Sequence, residues 1–321
     1  MVRRAVPQYA LSTHKTHKTH KTHKTHPTHN THPTPPMPLP SPLLKARILR
    51  VFKFTVDFLR RHHLRYVACG GTVLGAVRHK DFIPWDDDID IYMPRPDYER
   101  LLNLKEEARR EGFDVFSLRD EGYYLPFAKV SDMGTTLWEQ EQFPFIMGVF
   151  VDVFALDNFN CTDDELTAIQ RRSQKKFYHY LKSVSNMPAS GLLADLTHGR
   201  TQQAQYKLEV LLSRPLRRWL LKQFMDYQRW YASFDGDKTV CVTQWTGRIF
   251  RRQWFDDTIE VPFADTTVVI PRQYDEYLTC LYGDYMTLPP VEKRVSDHLH
   301  HYMNLDERVT PPGFPERLPW Q

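Results

Sequence analysis

The chain has 321 residues, 41% of them hydrophobic and 13% aromatic, enough to bury one large core or two ordinary ones. Its formal charge of +4 conceals a split: residues 1–42 hold six basic residues and no acid, which leaves 37 basic against 39 acidic residues, a net −2, in the remainder. A near-neutral folded part excludes a global electrostatic case for nucleic acid, and four cysteines without close pairs (Cys69, Cys161, Cys241, Cys280) argue against a zinc site or a disulfide scaffold.

In chain order, residues 13–34 repeat Thr-His-Lys or Thr-His-Pro with period three and run into the proline-rich stretch Pro35 to Pro42. Such a segment has almost nothing to bury, so residues 1–42 are expected to be a disordered tail, dispensable for chemistry. Its seven evenly spaced histidines, His14 to His32, would bind Zn²⁺ or Ni²⁺ only as any histidine tract does, and Met37 is an alternative initiator. No run approaches 18 apolar residues and no apolar stretch follows the basic N-terminus. Neither a membrane-spanning helix nor a secretory leader is expected, and a reducing cytosol is the expected compartment.

Apolar positions Leu44, Ile48, Val51, Phe52, Val56 and Leu59 recur at helical spacing from Leu43 to about His63. A strand over Arg65–Cys69 leads to Gly70-Gly71-Thr72, with Thr72 read as the cap of a helix over Val73–Val77. A strand over Ile89–Tyr92, a helix over Asp97–Glu111 and strands over Tyr124–Val130 and Gly148–Phe154 follow. Long basic amphipathic helices cover Thr162–Ser185 and Ala204–Tyr231. Short strands return at Ile259–Val261 and Thr267–Ile270, then a helix at Tyr274–Leu281 and a proline-rich end. No linker interrupts 43–321, which reads as one integrated domain.

The chemistry concentrates in Asp86-Asp87-Asp88-Ile89-Asp90, an acidic run set among Phe82, Ile83, Pro84, Trp85 and Ile91 rather than among solvated residues. Read as a strand, its period of two sends Asp88 and Asp90 to one face and the isoleucines to the other. Two carboxylates about 4–5 Å apart repel by roughly 4 kcal/mol at an effective dielectric near 20. A compensating cation or a retained proton is then required; Mg²⁺ suits all-oxygen ligands, with Mn²⁺ as the substitute, and the bland reading is an acidic turn without a ligand. The glycine turn before a helix offers backbone N–H groups to a phosphate, although most such triplets are merely turns. Asp152, alone in the apolar run Val149–Phe154, is either a third member of the acid set or a structural acid with an internal partner.

Residues Gly71 to Ile91, read through Arg78-His79-Lys80-Asp81-Phe82-Ile83-Pro84-Trp85 and the acidic run, closely resemble the signature of the LicD family of choline-phosphate and related phosphotransferases, akin to the fukutin-type ribitol-phosphate transferases. The likeness continues in Phe127-Ala128-Lys129-Val130, Val151-Asp152-Val153-Phe154, Pro271 to Leu278, Tyr282 to Met286 and Pro289 to Arg294. It implies an α+β fold with a nucleotidyltransferase-like core over about 62–155, a helical region over about 160–235 and a C-terminal motif region over 259–300. It also implies a Mg²⁺-dependent transfer of phosphocholine or another phospho-alcohol from a CDP-alcohol donor to a sugar hydroxyl of a glycan or lipid-linked glycan acceptor, of lipopolysaccharide, teichoic acid or capsule type, with CMP leaving. Asp88, Asp90 and Asp152 would be the catalytic acids and, with Asp86, the metal ligands. Gly70, Gly71, Thr72, Arg78, Lys129 and Arg294, with His79 beside them, would face the diphosphate.

Trp85, Tyr282 and Tyr285 are candidates to stack a base or cradle a trimethylammonium group. The rivals are nucleotidyl transfer from a nucleoside triphosphate on the same core and a non-catalytic glycan-binding module. The basic segment Arg214 to Lys222 suggests peripheral membrane contact at the cytoplasmic face through outward arginines, and equally a helix packed by Leu216, Leu220 and Leu221.

Overall fold

Ser41 caps the first helix by accepting a hydrogen bond from the Leu44 amide at 3.1 Å, and Pro42 sits in the first turn, where its missing N–H costs nothing. That helix, α1 (Pro42–Arg61), buries Leu44, Ile48, Val51, Phe52, Phe58 and Leu59 along the expected face. The computed structural model describes residues 40–318 apart from 189, 245–247, 297 and 299, so the reading of residues 1–39 lies outside the described residues.

The central sheet uses β1 (Val67–Ala68), β2 (Asp90–Pro94), β3 (Phe113–Phe116), β4 (Ala128–Asp132) and β6 (Phe150–Phe159) in the order β1-β2-β6-β4-β3. Only β2 and β6 run parallel among these; the other neighbours are antiparallel. The short strands β7 (Lys238–Val240) and β8 (Phe250–Arg251) extend β6. This is the expected α+β, nucleotidyltransferase-like arrangement.

Alternation along the strands divides the core in two. Val151, Val153 and Ala155 of β6 face α1, α2 (Gly70–Arg78) and the hairpin of β9 (Thr258–Phe263) and β10 (Thr266–Pro271). Phe150, Phe154 and Leu156 face the opposite way, toward α5 (Asp163–Ser183) and α8 (Arg217–Ala232). Asp152, Asp90 and Lys129 share this second face, because they have the parity of Phe150, Tyr92 and Phe127.

Several expected elements shift for identifiable reasons. α5 opens on a capping box in which Thr162 and Glu165 satisfy each other's amides. The helix expected over 204–231 divides into α7 (Thr201–Ser213) and α8, with a 3₁₀ turn at Arg214–Leu216 where Pro215 has no N–H to continue the ladder. The helix expected over 97–111 becomes α3 (Arg95–Asn103) and α4 (Lys105–Arg110). Tyr124–Phe127 stay out of the strand that begins at Ala128, and β2 begins only at Asp90, so Asp88 lies in the loop that enters it. The remaining elements are β5 (Thr136–Trp138), α6 (Leu192–Thr197), α9 (Gln253–Asp256), α10 (Tyr274–Tyr282) and β11 (Tyr302–Asn304), the last paired with β5.

α2 begins at Gly70 rather than after Thr72, and Gly70 takes φ +52°, where a side chain is disfavoured. At Gly75 the constraint is contact: a Cβ there would lie 2.6 Å from the Asp81 carbonyl oxygen and 3.2 Å from the Ile83 nitrogen. Bare backbone thus lets α2 pack against the turn that delivers the acidic run. Gly75→Ala should gain the ~1 kcal/mol of helix propensity yet be destabilised overall, by about 1–3 kcal/mol, because backbone atoms must move. Urea denaturation of the two proteins checks the sign.

Candidate active site

Strand register assembles the centre of the site. β2 and β6 pair with Asp90 opposite Asp152, and β4 and β6 pair with Lys129 opposite Asp152. Three charged side chains therefore sit side by side on one face of the sheet. The Asp90 amide donates to the Thr72 hydroxyl at 2.9 Å, and the Asp90 carbonyl accepts from the Cys69 amide at 3.1 Å. Carboxylate oxygens of Asp88, Asp90 and Asp152 lie within 4.8 Å of one another. Asp90 Oδ1 is buried and has no hydrogen-bond partner, an arrangement with a high cost unless a cation or proton supplies one. An all-carboxylate donor set with an orphaned oxygen fits a hard divalent cation.

Lys129 departs from its expected place facing a diphosphate. Its side chain is 0% exposed; Nζ donates to Asp152 Oδ1 at 2.7 Å, lies 3.5 Å from Glu139 Oε1 and sits over the Phe150 ring. Glu139 in turn accepts from the Tyr124 hydroxyl at 2.7 Å. A lysine this enclosed is held by the acids beside it, so it serves as their counter-ion. Asp86 also departs from expectation: it lines the cavity but is not among the three acids whose oxygens converge. A Cβ on Gly71 would lie 2.6 Å from Asp86 Oδ2, so the bare glycine makes room for that carboxylate.

The phosphate turn is partly committed elsewhere. The Gly70 amide donates to the Tyr277 hydroxyl at 3.0 Å, and Thr72 spends its hydroxyl on Asp90 instead of capping α2. Gly71 does line the cavity. Arg78 lines it too, fixed by bonds from Nε to His79 Nε2 at 2.9 Å and from a terminal nitrogen to the Tyr285 carbonyl at 2.6 Å. Arg294 lies 5.7 Å over the Trp85 ring and donates to the Pro289 carbonyl at 2.8 Å; its neighbour Lys293 lines the cavity.

Residues far along the chain complete the acidic loop. Asp87 Oδ1 accepts from Ser296 Oγ at 2.7 Å and lies 2.7 Å from His298 Nδ1, and Asp87 Oδ2 lies 3.3 Å from His300 Nε2. His298 Nε2 is 3.4 Å from Asp88 Oδ2, so one imidazole spans two acids of the run. Neither histidine nor Glu139 was anticipated. The alternation Ser296-x-His298-x-His300 was the available signal, since period two puts all three on one side of an extended chain.

Proton affinities follow this geometry. Burial, then Asp88, push Asp86 and Asp90 well above the usual carboxylate range. Burial raises Asp152 to about 7 even against the pull of Lys129. Burial would also raise Asp87, but hydrogen bonds from His298 and His300 hold it below the ordinary range. His298 loses from burial and gains more from Asp88 and Asp87, so its affinity is pushed well up.

These groups surround a cavity of about 1160 Å³. Asp88, Asp90 and Asp152 reach into it between two unlike walls. The α2–α10 wall brings Arg78 and Lys293 with Trp85, Tyr282 and Tyr285. The other, from the 124–142 segment, β6 and α5, brings Tyr124, Phe127, Phe154 and Phe177 with Glu139 and Glu141.

Fold and site define an enzyme on a nucleotidyltransferase-like framework. More particularly, residues 63–196 match the LicD/FKTN/FKRP nucleotidyltransferase domain, and the named relatives that the chain resembles are phosphotransferases. It is 26% identical over 263 residues to lipopolysaccharide cholinephosphotransferase LicD of Haemophilus influenzae, across 78% of this chain and 93% of that protein. It is 27% identical over 157 residues to the ribitol 5-phosphate transferase FKRP of mouse and of human, across 48% of this chain and 30% of those proteins.

Asp86, Asp90 and Asp152 bind protons more tightly when folded than when unfolded, so stability of the metal-free protein should fall as pH rises from about 4 through about 7. Asp87 acts oppositely and lower: its contribution is full above about 4 and is lost as pH falls through its depressed value. Thermal melts at pH 5 and pH 8, with chelator and with Mg²⁺, should show the larger rescue by metal at pH 8. Lys129→Met should leave Asp152 and Glu139 without their buried cation and destabilise the fold by about 3–5 kcal/mol in urea melts.

Proposed function

We propose that the chain transfers phosphocholine, or a closely related phospho-alcohol, from a CDP-linked donor to a sugar hydroxyl of a cell-surface glycan precursor. Mg²⁺, with Mn²⁺ able to substitute, would be held by Asp88, Asp90 and Asp152. The observation that carries this reading is the convergence of those three carboxylates, one oxygen orphaned, in a cavity lined by Arg78, Lys293 and aromatic side chains. A divalent ion there supplies charge neutralisation for a diphosphate and fixes its geometry. With Asp152 Oδ1 taken by Lys129, its other oxygen is the one left to complete the donor set. Arg78 and Lys293, on the wall with Trp85, Tyr282 and Tyr285, suit the diphosphate and the cytosine of the donor.

In the transfer, the acceptor oxygen forms a bond to the phosphorus bearing the alcohol, the bridging P–O bond breaks, CMP leaves with the electron pair and the hydroxyl proton is released. Holding the two oxygens in line across one phosphorus is what the rigid strands contribute. The trimethylammonium group is assigned to the wall of Tyr124, Phe154 and Phe177 with Glu141, since Lys129 already pairs with Glu139 and lies 5.6 Å over the Phe127 ring, and Arg294 lies over Trp85. The lipopolysaccharide cholinephosphotransferase named among the relatives supports the same alcohol and an acceptor of the glycan type. The reading includes a cytoplasmic location, which four free cysteines support.

Incubating the purified chain with CDP-choline, CDP-ribitol and CDP-glycerol, plus Mg²⁺ and glycan extracts, should release CMP fastest from CDP-choline. Chelator, or Asp90→Asn in a protein that melts no lower than the parent, should reduce release to background. Normal turnover by Asp90→Asn would sink the assignment, and pyrophosphate release from CTP would replace it with nucleotidyl transfer.

A further inference from the structure

The helical layer built on α5 exposes apolar surface that the transfer reaction does not use. Leu208 and Leu212 of α7, Leu216 of the 3₁₀ turn and Trp219 of α8 are 47%, 61%, 50% and 56% exposed. Leu208 and Leu212, four apart, share one face of α7, and Leu216 and Trp219 carry the exposed apolar run through the 3₁₀ turn into α8. α6, packed against α7, adds Leu193 at 78% and Leu196 at 55%. Six large apolar side chains exposed on one helical layer point to contact with something apolar.

Charge selects the occupant. Residues 163–232 hold 12 basic and 6 acidic residues, a net +6, against 25 basic and 33 acidic in the rest of 43–321, a net −8. A second copy docked through this layer would bring +6 against +6, whereas an anionic surface is attracted. Arg218 and Lys222, both exposed, flank Trp219 on α8. Trp219 itself is of the type that favours the boundary between headgroups and acyl chains.

The arrangement departs in part from the sequence expectation of outward arginines and inward leucines: Leu220 and Leu221 pack on the core, but Leu216 is exposed. Arg214 donates to the carbonyls of Ser185 and Met187 at 3.1 and 2.7 Å, and Arg217, 11% exposed, pairs with Glu121 at 2.6 Å. Arg214 and Arg217 of the expected basic cluster are therefore structural, while Arg218 and Lys222 face out beside Leu216 and Trp219. Among the described residues no helix is long and apolar enough to cross a membrane.

We propose that the Leu208–Leu212–Leu216–Trp219 face, with Arg218 and Lys222, docks the protein on an anionic lipid bilayer. α7 and α8 pack on α5, whose Gln174, Phe177, Tyr178 and Leu181 line the cavity. The docking layer is thus the outer side of one cavity wall, and an acceptor carried on a lipid would meet the site close to the bilayer.

Flotation of the full chain should succeed with phosphatidylglycerol-containing vesicles, weaken in high salt and fail with pure phosphatidylcholine. The double variant Leu212→Glu, Trp219→Glu should lose flotation while keeping its thermal midpoint and its rate of donor cleavage in solution. Arg218→Glu with Lys222→Glu, which removes no apolar contact, should also reduce flotation and flatten its salt dependence. Failure of the parent to float, or equal flotation of both variants, would overturn the proposal. So would a parent dimer that the first variant converts to a monomer, which would assign the stripe to a second copy.

Discussion

The structure is organised around mutual repulsion of carboxylates held next to a core. Asp90 and Asp152 are fixed by strand register, and Asp88 is brought to them by the loop entering β2. At about 4–5 Å such groups repel by several kcal/mol each, so the surrounding residues must compensate. Lys129 does so from within the sheet, and His298 does so from the C-terminal segment. Neither reaches Asp90 Oδ1, which keeps an unmet demand for positive charge at the cavity. The same demand that strains the metal-free fold is the one a bound cation would meet.

That compensation explains why the working unit extends well beyond the matched domain at 63–196. Ser296, His298 and His300 grip Asp87, β11 pairs with β5, and Tyr277 of α10 takes the Gly70 amide. Each contact spans more than 150 residues of chain. Without them Asp87 and Asp88 would lose the histidine contacts that offset their repulsion. Stability and site geometry are coupled through these closures, since loss of the segment around His298 would release Asp87 and Asp88 together.

The helical layer illustrates a division of labour between the two faces of one element. α5 buries Phe177, Tyr180 and Leu181 in the core cluster that α8 joins through Phe224, whose ring is 5.1 Å from that of Phe177, and it lines the cavity with Gln174 and Tyr178, while α7 packs on it as well. Arg214 and Arg217, used internally, tie this layer to the loops at 185–187 and to Glu121. Basic residues here are structural or surface-facing according to which carbonyls and acids the fold brings within reach. Sequence spacing alone does not distinguish the two.

By itself the sequence determined the α+β class, most of the long elements and the three central acids, because each leaves a local trace. Helical periodicity marks α1 and α5, and an acid inside an apolar run is costly enough that Asp88, Asp90 and Asp152 stand out. Short strands such as β3, β5 and β7 left no such trace, since they are held by partners remote in sequence. Tertiary structure alone decided that Lys129 belongs to the acids, that Thr72 serves Asp90, that Asp86 stands outside the converging set and that His298 bridges Asp87 and Asp88. The physical reason is that a charged side chain takes whichever partner lowers its desolvation cost most, and that partner is fixed by strand register and long-range closure rather than by its neighbours in the chain.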